Sequence, residues 1–171
     1  MGVIDSFQVE VTEQPLRVDG VLSGLVCHGQ GAQVLFAGAV RDWNHGRRVI
    51  AVSYDAFVPL AQATLKRICH EAQERWGTDL HLCVRHRVGR LSVGEVSVVI
   101  AVTSVHRDEA YQASRYVIEE LKERVPIWKK EHYEDGETAW LKGHALCSHR
   151  GGHSSGRDVL PNGRQQGSTH P

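Results

Sequence analysis

The stretch VSVVIAVTSVHRDEAYQASRYVIEELKERVPIWKKEHY, residues 96–133, decides the fold. Its opening run, Val96 to Thr103, is apolar and rich in β-branched residues, so it reads as a strand. From Arg107 the period changes. Ala110, Ser114, Val117, Ile118, Leu121 and Val125 fall on one side of a helix running from Arg107 to Arg124. Pro126 ends that helix, because the residue before a proline is pushed out of the helical region. Ile127 to Tyr133 follows as a strand. With Thr138 to Lys142 it could form a hairpin across Glu134-Asp135-Gly136-Glu137.

The same reading extends toward the N-terminus. Phe7 to Thr12 alternates as a short strand. Asp19 can cap a short helix, Gly20 to His28, with Val21, Leu22, Leu25 and Val26 on one face; Gly29 to Gly31 ends it. Gln33 to Val40 (QVLFAGAV) reads as a buried strand, and Arg41 to Arg48 (RDWNHGRR) as a loop or a loosely paired hairpin tip. Val49 to Phe57 returns as a strand. Pro59 suits a first helical turn, and Leu60, Thr64, Leu65, Ile68, Ala72 and Trp76 recur at helical spacing up to Gly77. Leu80 to about Val88 is a further strand, and Gly89 to Glu95 a connection. Several links are too short for parallel crossovers. The expected class is therefore α+β, with a mixed, mostly antiparallel sheet and three helices. Residues 1–144 form the expected domain. Residues 145–171, rich in Gly, Ser, His and Arg, read as a disordered polar tail.

Lys+Arg and Asp+Glu both number 20 in the 171 residues, so the formal net charge is zero. That argues against holding nucleic acid or an anionic membrane by overall charge, and any anion site must be a local cluster. No basic segment followed by an apolar stretch opens the chain, and no apolar run approaches a membrane span. The four cysteines form no CxxC pair. Cys27, Cys69 and Cys83 read as small core residues, and a reducing cytoplasm is the simplest compartment. His144, Cys147, His149 and His153 match no structural zinc spacing, so no metal site and no cofactor are expected. Phosphate-binding glycine loops are absent.

Three places could carry chemistry. Thr103-Ser104-Val105-His106-Arg107 lies where a strand meets a helix start, whose free N–H groups, with His106 and Arg107, could seat a phosphate or carboxylate. The competing reading is a surface His-Arg pair with Ser104 as a cap. Lys122 falls at the edge of the helix's buried face, and Lys129 follows the break at Pro126, so a chain reversal could bring both ammonium groups to one cleft. Lysines near other cations can act as acid, base or nucleophile near neutral pH. Two lysines merely covering apolar surface would be the competing reading, with Trp128 a core or interface aromatic. Arg41 ends a strand and opens a loop, a usual position for a binding residue, and Gly38 before it permits close backbone approach. An exposed strand-end arginine is the alternative.

Taken together, FAGAVR (Phe36 to Arg41), TSVHR (Thr103 to Arg107) and LKERVPIWKKE (Leu121 to Glu131) resemble the large subunit of molybdopterin synthase. SYDAFVPLA, ICHEAQERWG and HRVGRLSVGEVSVVIAVTS support it, in order, from about Phe7 to Lys142. The resemblance implies an α/β hammerhead fold and a homodimer at the centre of a heterotetramer. A small ubiquitin-like sulfur carrier would thread its C-terminal Gly-Gly thiocarboxylate into each site, and the substrate would be cyclic pyranopterin monophosphate. Lys122 and Lys129 would be the catalytic pair. Arg41, His106 and Arg107 would bind the anionic substrate, and Ala39, Val40, Arg41, Lys129, Lys130 and Glu131 would line the pocket. Ala39 stands where some relatives have lysine, which removes one possible cation. A non-catalytic module that binds a phosphorylated ligand or a ubiquitin-like Gly-Gly tail is the alternative function.

Overall fold

The structure, a computed structural model, describes residues 6–25 and 28–140. The described residues form two sheets and two α-helices. The first sheet takes β1 (Phe7–Thr12), β5 (His81–Arg87), β7 (Val96–Ser104) and β2 (Ala32–Ala39), in that order. β1 runs parallel to β5, and the other pairings are antiparallel. In the second sheet, β4 (Arg47–Ala56) pairs with β8 (Ile127–Tyr133). The opposite side of β4 takes β3 (Trp43–Asn44) near its start and β6 (Gly89–Ser92) further along, and β9 (Thr138–Trp140) pairs with β8. Every pairing in this sheet is antiparallel.

The α-helices α1 (Val58–Trp76) and α2 (Arg107–Arg124) pack on each other and on the first sheet. The period-two alternation of β7 explains why. Val98, Ile100 and Val102 join the core shared with Leu65, Ile68, Val117 and Leu121 of the helices, while Val99 and Ala101 point to the other face with Cys83, Val21 and Leu25. A strand covered on both sides needs a continuous apolar run, and VSVVIAV supplies it. Each fully buried leucine, isoleucine or valine among them, such as Leu65, Ile100 and Leu121, contributes about 1.5–3 kcal/mol. A third cluster, Val40, Val49, Val52, Leu91 and Tyr133, lies where β2 leaves the first sheet and meets the second.

The mixed, mostly antiparallel α+β class holds, but the count of three helices does not. Among the described residues there are two α-helices, and in the stretch expected as a helix from Gly20 to His28 the described part, Gly20 to Leu25, is turn with a short 3-10 segment at Ser23–Leu25. Gly20 adopts φ 77°, and the N–H of Leu25 bonds the carbonyl of Leu22, three residues back. A nine-residue apolar pattern is too short to repay helix nucleation, so Val21 and Leu25 bury without it. Gly89 to Glu95, expected as a connection, contains β6, because Leu91 packs under β4 and fixes the pairing. The RDWNHGRR segment is the hairpin tip rather than an open loop: His45 (φ 48°) and Gly46 (φ 74°) form its two-residue turn. Cys69 and Cys83 are buried and free; Cys27 and the segment 145–171, with Cys147 and its histidines, lie outside the described residues.

Candidate active site

A small cleft, open to solvent, lies between the end of β2 and the second sheet. It is lined by Ala39, Val40, Arg41, Trp43, Asn44, Val52, Tyr54, Lys129 and Glu131. β2 reaches it through a register shift between Gly38 and Ala39. A Cβ on Gly38 would lie 2.8 Å from Cγ1 of its strand partner Val98, so the glycine leaves room for that side chain. Val40 is then pinned by its N–H to the Glu95 carbonyl (3.0 Å) and its carbonyl to the Gly94 N–H (2.8 Å). Its side chain is buried in the apolar floor, which leaves exposed Arg41 at the rim.

From the other wall, β8 presents Lys129 and Glu131, two residues apart and so on one face. Lys129 Nζ lies 2.5 Å from Glu131 Oε1. Glu131 is 1% exposed, and its oxygens also accept from Asn44 Nδ2 (3.0 and 2.9 Å) and from the Tyr133 hydroxyl (2.7 Å). Burial alone would push its carboxyl up. The bonds from Lys129, Asn44 and Tyr133 outweigh that and hold it below its ordinary range. Tyr54 stands opposite Lys129 in the β4–β8 register. Burial raises its hydroxyl, a hydrogen bond with Ser97 opposes the shift, and the Glu131 charge adds to it. Behind it sits buried His86, edge-on to the Tyr54 ring at 5.2 Å.

The expected site residues divide into groups. Ala39, Val40, Arg41, Lys129 and Glu131 come together at the cleft. Lys130 alternates to the other face of β8, where its ammonium lies 5.6 Å from the centre of the Trp140 ring, so it does not line the cleft. Trp128, on that face too, is 48% exposed and not a core residue. Lys122 occupies the last turn of α2 and is partly buried. Because α2 packs back along β7 and β2 from its start beyond Ser104, its last turn lies toward the Val96–Ala39 end, the end of the cleft. His106 and Arg107 sit at the opposite end, beyond the Ser104–Ala32 pair. That is about 25 Å from the cleft, the length of an eight-residue strand. Both are exposed at the helix start, and Ser104 is not the cap; the N-cap position is His106.

Asn44, Tyr54 and Tyr133 escaped the sequence reading. The alternation of β8 could have flagged Tyr133 beside Glu131. Nothing local could have joined Asn44 to a carboxylate 87 positions later. Among the described residues, no three His, Cys, Asp or Glu side chains cluster as metal ligands do.

Fold and cleft together define an α+β protein with a cleft that holds Arg41, Lys129 and Glu131, built where two sheets meet. Residues 11–124 match the family described as MoaE protein. A molybdopterin synthase catalytic subunit from Synechococcus elongatus is 45% identical over 148 residues, 85% of this chain and 88% of the relative. The crystal structure of molybdopterin synthase from Staphylococcus aureus superposes with TM-score 0.73 at 36% identity, over 81% of this chain and 98% of that one. A Helicobacter pylori chain, solved in a complex of subunits 1 and 2 of molybdopterin-converting factor, shares the fold at TM-score 0.64 and 19% identity, over 82% and 93%. The chain belongs to the MoaE family.

Proposed function

We propose that this chain is the catalytic subunit of a molybdopterin synthase, a sulfurtransferase of molybdenum cofactor biosynthesis. The observation that carries the reading is the Lys129–Glu131 pair in a cleft rimmed by Arg41. The substrate is cyclic pyranopterin monophosphate, and the sulfur arrives as the C-terminal Gly-Gly thiocarboxylate of a small ubiquitin-like carrier. Arg41 holds the phosphate through charge-assisted hydrogen bonds. Sulfur attack on the pterin side chain, opening of the cyclic phosphate and loss of water need protons moved at defined oxygens. Lys129 and Lys122 are the donors and acceptors. Lys122 also holds the carrier's carboxylate once the sulfur has left. No cysteine of this chain is needed, in keeping with buried Cys69 and Cys83.

The positions of His106 and Arg107 favour a homodimer at the centre of a heterotetramer. They are too far from Arg41 to share its cleft within one chain, and a two-fold arrangement would bring a second copy's pair to it. The carrier is assigned from the sequence resemblance; the complex of subunits 1 and 2 belongs to the Helicobacter pylori protein. A reducing cytoplasm is the compartment that suits two free buried thiols.

The test is turnover. Purified chain, thiocarboxylated carrier and the precursor should yield the dithiolene product, read by mass spectrometry as gain of two sulfurs. Lys129→Ala should abolish product while carrier binding survives. Full turnover in that variant would defeat the mechanism, and binding without turnover by the wild-type chain would favour a non-catalytic module.

A further inference from the structure

The β3–β4 hairpin carries a side chain that the chemistry above leaves without a role. Asn44 lies just before the His45–Gly46 turn and pairs with Arg47 across it. Its amide nitrogen spans both oxygens of Glu131, at 3.0 and 2.9 Å. Tyr133 donates to Oε2 at 2.7 Å, and Lys129 takes Oε1. Three donors thus surround a carboxylate that is 1% exposed, where an unpartnered one would be costly.

The hairpin is also latched from outside. The Arg47 guanidinium lies 3.8 Å from the centre of the Tyr133 ring and pairs with Asp135 at 2.6 Å and Glu137 at 2.8 Å. The chemistry of the position calls for a neutral donor. An acid there would set two carboxylates against each other, and a lysine or arginine would compete with Lys129 for Glu131. Lysine itself is a point charge on a flexible four-carbon stem, so its ammonium sits where a partner holds it.

We propose that Asn44 is a positioning residue for Lys129: it fixes both oxygens of Glu131, and Glu131 fixes the ammonium group at the cleft. This rests on the reading of Lys129 as a proton-transfer group. Asn44 acts through the carboxylate, because its amide nitrogen is engaged there. The groups that face Glu131 are Lys129 and Tyr133 from β8, Asn44 from β3, Tyr54 from β4, Arg41 at the rim, and Arg47 through the Tyr133 ring.

The experiment is a pH–rate profile of Asn44→Ala, Asn44→Asp and Tyr133→Phe in the complete complex with thiocarboxylated carrier and precursor. Loss of a donor makes the Glu131 carboxyl easier to protonate, and a protonated Glu131 releases Lys129. The acid limb should therefore move to higher pH, furthest in Asn44→Asp. At neutral pH, kcat should fall about tenfold or more, with KM for the precursor little changed. Asn44→Asp is isosteric and Tyr133→Phe removes one hydroxyl, so the test stands even where Asn44→Ala fails to fold. An unmoved acid limb and unchanged kcat in both Asn44→Asp and Tyr133→Phe, beside an inactive Lys129→Ala, would overturn the role of Asn44 alone. An active Lys129→Ala would overturn the reading beneath it.

Discussion

The ammonium of Lys129 and the carboxylate of Glu131 meet at 2.5 Å, with the Glu131 side chain 2% exposed and that of Lys129 20%. A buried ion pair is a poor way to stabilise a fold, because desolvation offsets most of the attraction. The proposed function gives this pair at the cleft wall a chemical use. It also makes the two residues energetically coupled. Lys129→Ala should lower unfolding stability in urea by about 1–3 kcal/mol, since Glu131 stays buried without its cation. Adding Glu131→Gln should recover most of that loss and none of the turnover. A coupling energy below about 0.5 kcal/mol in the double-mutant cycle would contradict the pairing.

His86 gives the fold an acid sensitivity of its own. It is 1% exposed, and its Nδ1–H donates to the Arg87 carbonyl at 2.9 Å. Burial pushes its pKa down to about 4, from an ordinary 6.5. The unfolded chain thus binds the proton first as pH falls. Stability should be fully present above about pH 6.5, decline toward pH 4, and lose up to about 3 kcal/mol over that window. The carboxylates held low by hydrogen bonds, Glu71, Glu95, Glu131 and Asp135, act at more acid pH. Thermal melts of His86→Gln should show a flatter slope between pH 4 and 6.5 than the wild type. Parallel slopes would remove His86 as the cause.

Gly38→Ala tests how β2 delivers Arg41. The added methyl would meet Val98 Cγ1 at 2.8 Å, and Val98 is a stiff, buried, β-branched side chain. Alanine normally gains about 0.5–1 kcal/mol over glycine in a strand. Overpacking costs about 1–3 kcal/mol, so destabilisation should win. The Ser97 hydroxyl, which donates to the Gly38 carbonyl at 3.1 Å, would move with the strand. Urea unfolding should show the loss, and KM for the precursor should rise as Arg41 shifts. A variant as stable as the wild type would mean that β2 has slack here.

The legible and illegible parts of the fold differ in the range of the interactions that decide them. β7, α2 and β8 were readable because a continuous apolar run, a 3.6-residue period and a proline stop are local signals. β6 was not, since four residues with one buried leucine carry almost no pattern until β4 is beside them. The turns at Val21–Leu25 mimicked a helix because burial of two apolar residues at spacing four needs no helix when Gly20 takes a positive φ. For the site, Arg41, Lys129 and Glu131 were legible from motif resemblance. Lys130 was carried along by adjacency and then turned away by strand alternation. Asn44 was invisible because its partner is set by tertiary pairing of β3, β4 and β8.

His106 and Arg107 lie about 25 Å from Arg41 along β2, so the proposed anion seat is divided between the two ends of one chain. If a second copy supplies the missing half, each active site needs Lys129 from one chain and Arg107 from the other. Lys129→Ala and Arg107→Ala homodimers should each be inactive or nearly so. Unfolding and refolding an equal mixture should then restore about one quarter of the wild-type activity per site, because half the dimers are mixed and each mixed dimer has one intact site. A site completed within one chain makes a different forecast: every Lys129→Ala chain and every Arg107→Ala chain is defective, and no mixture recovers anything. Activity of the remixed pair, normalised to dimer measured by light scattering, separates the two.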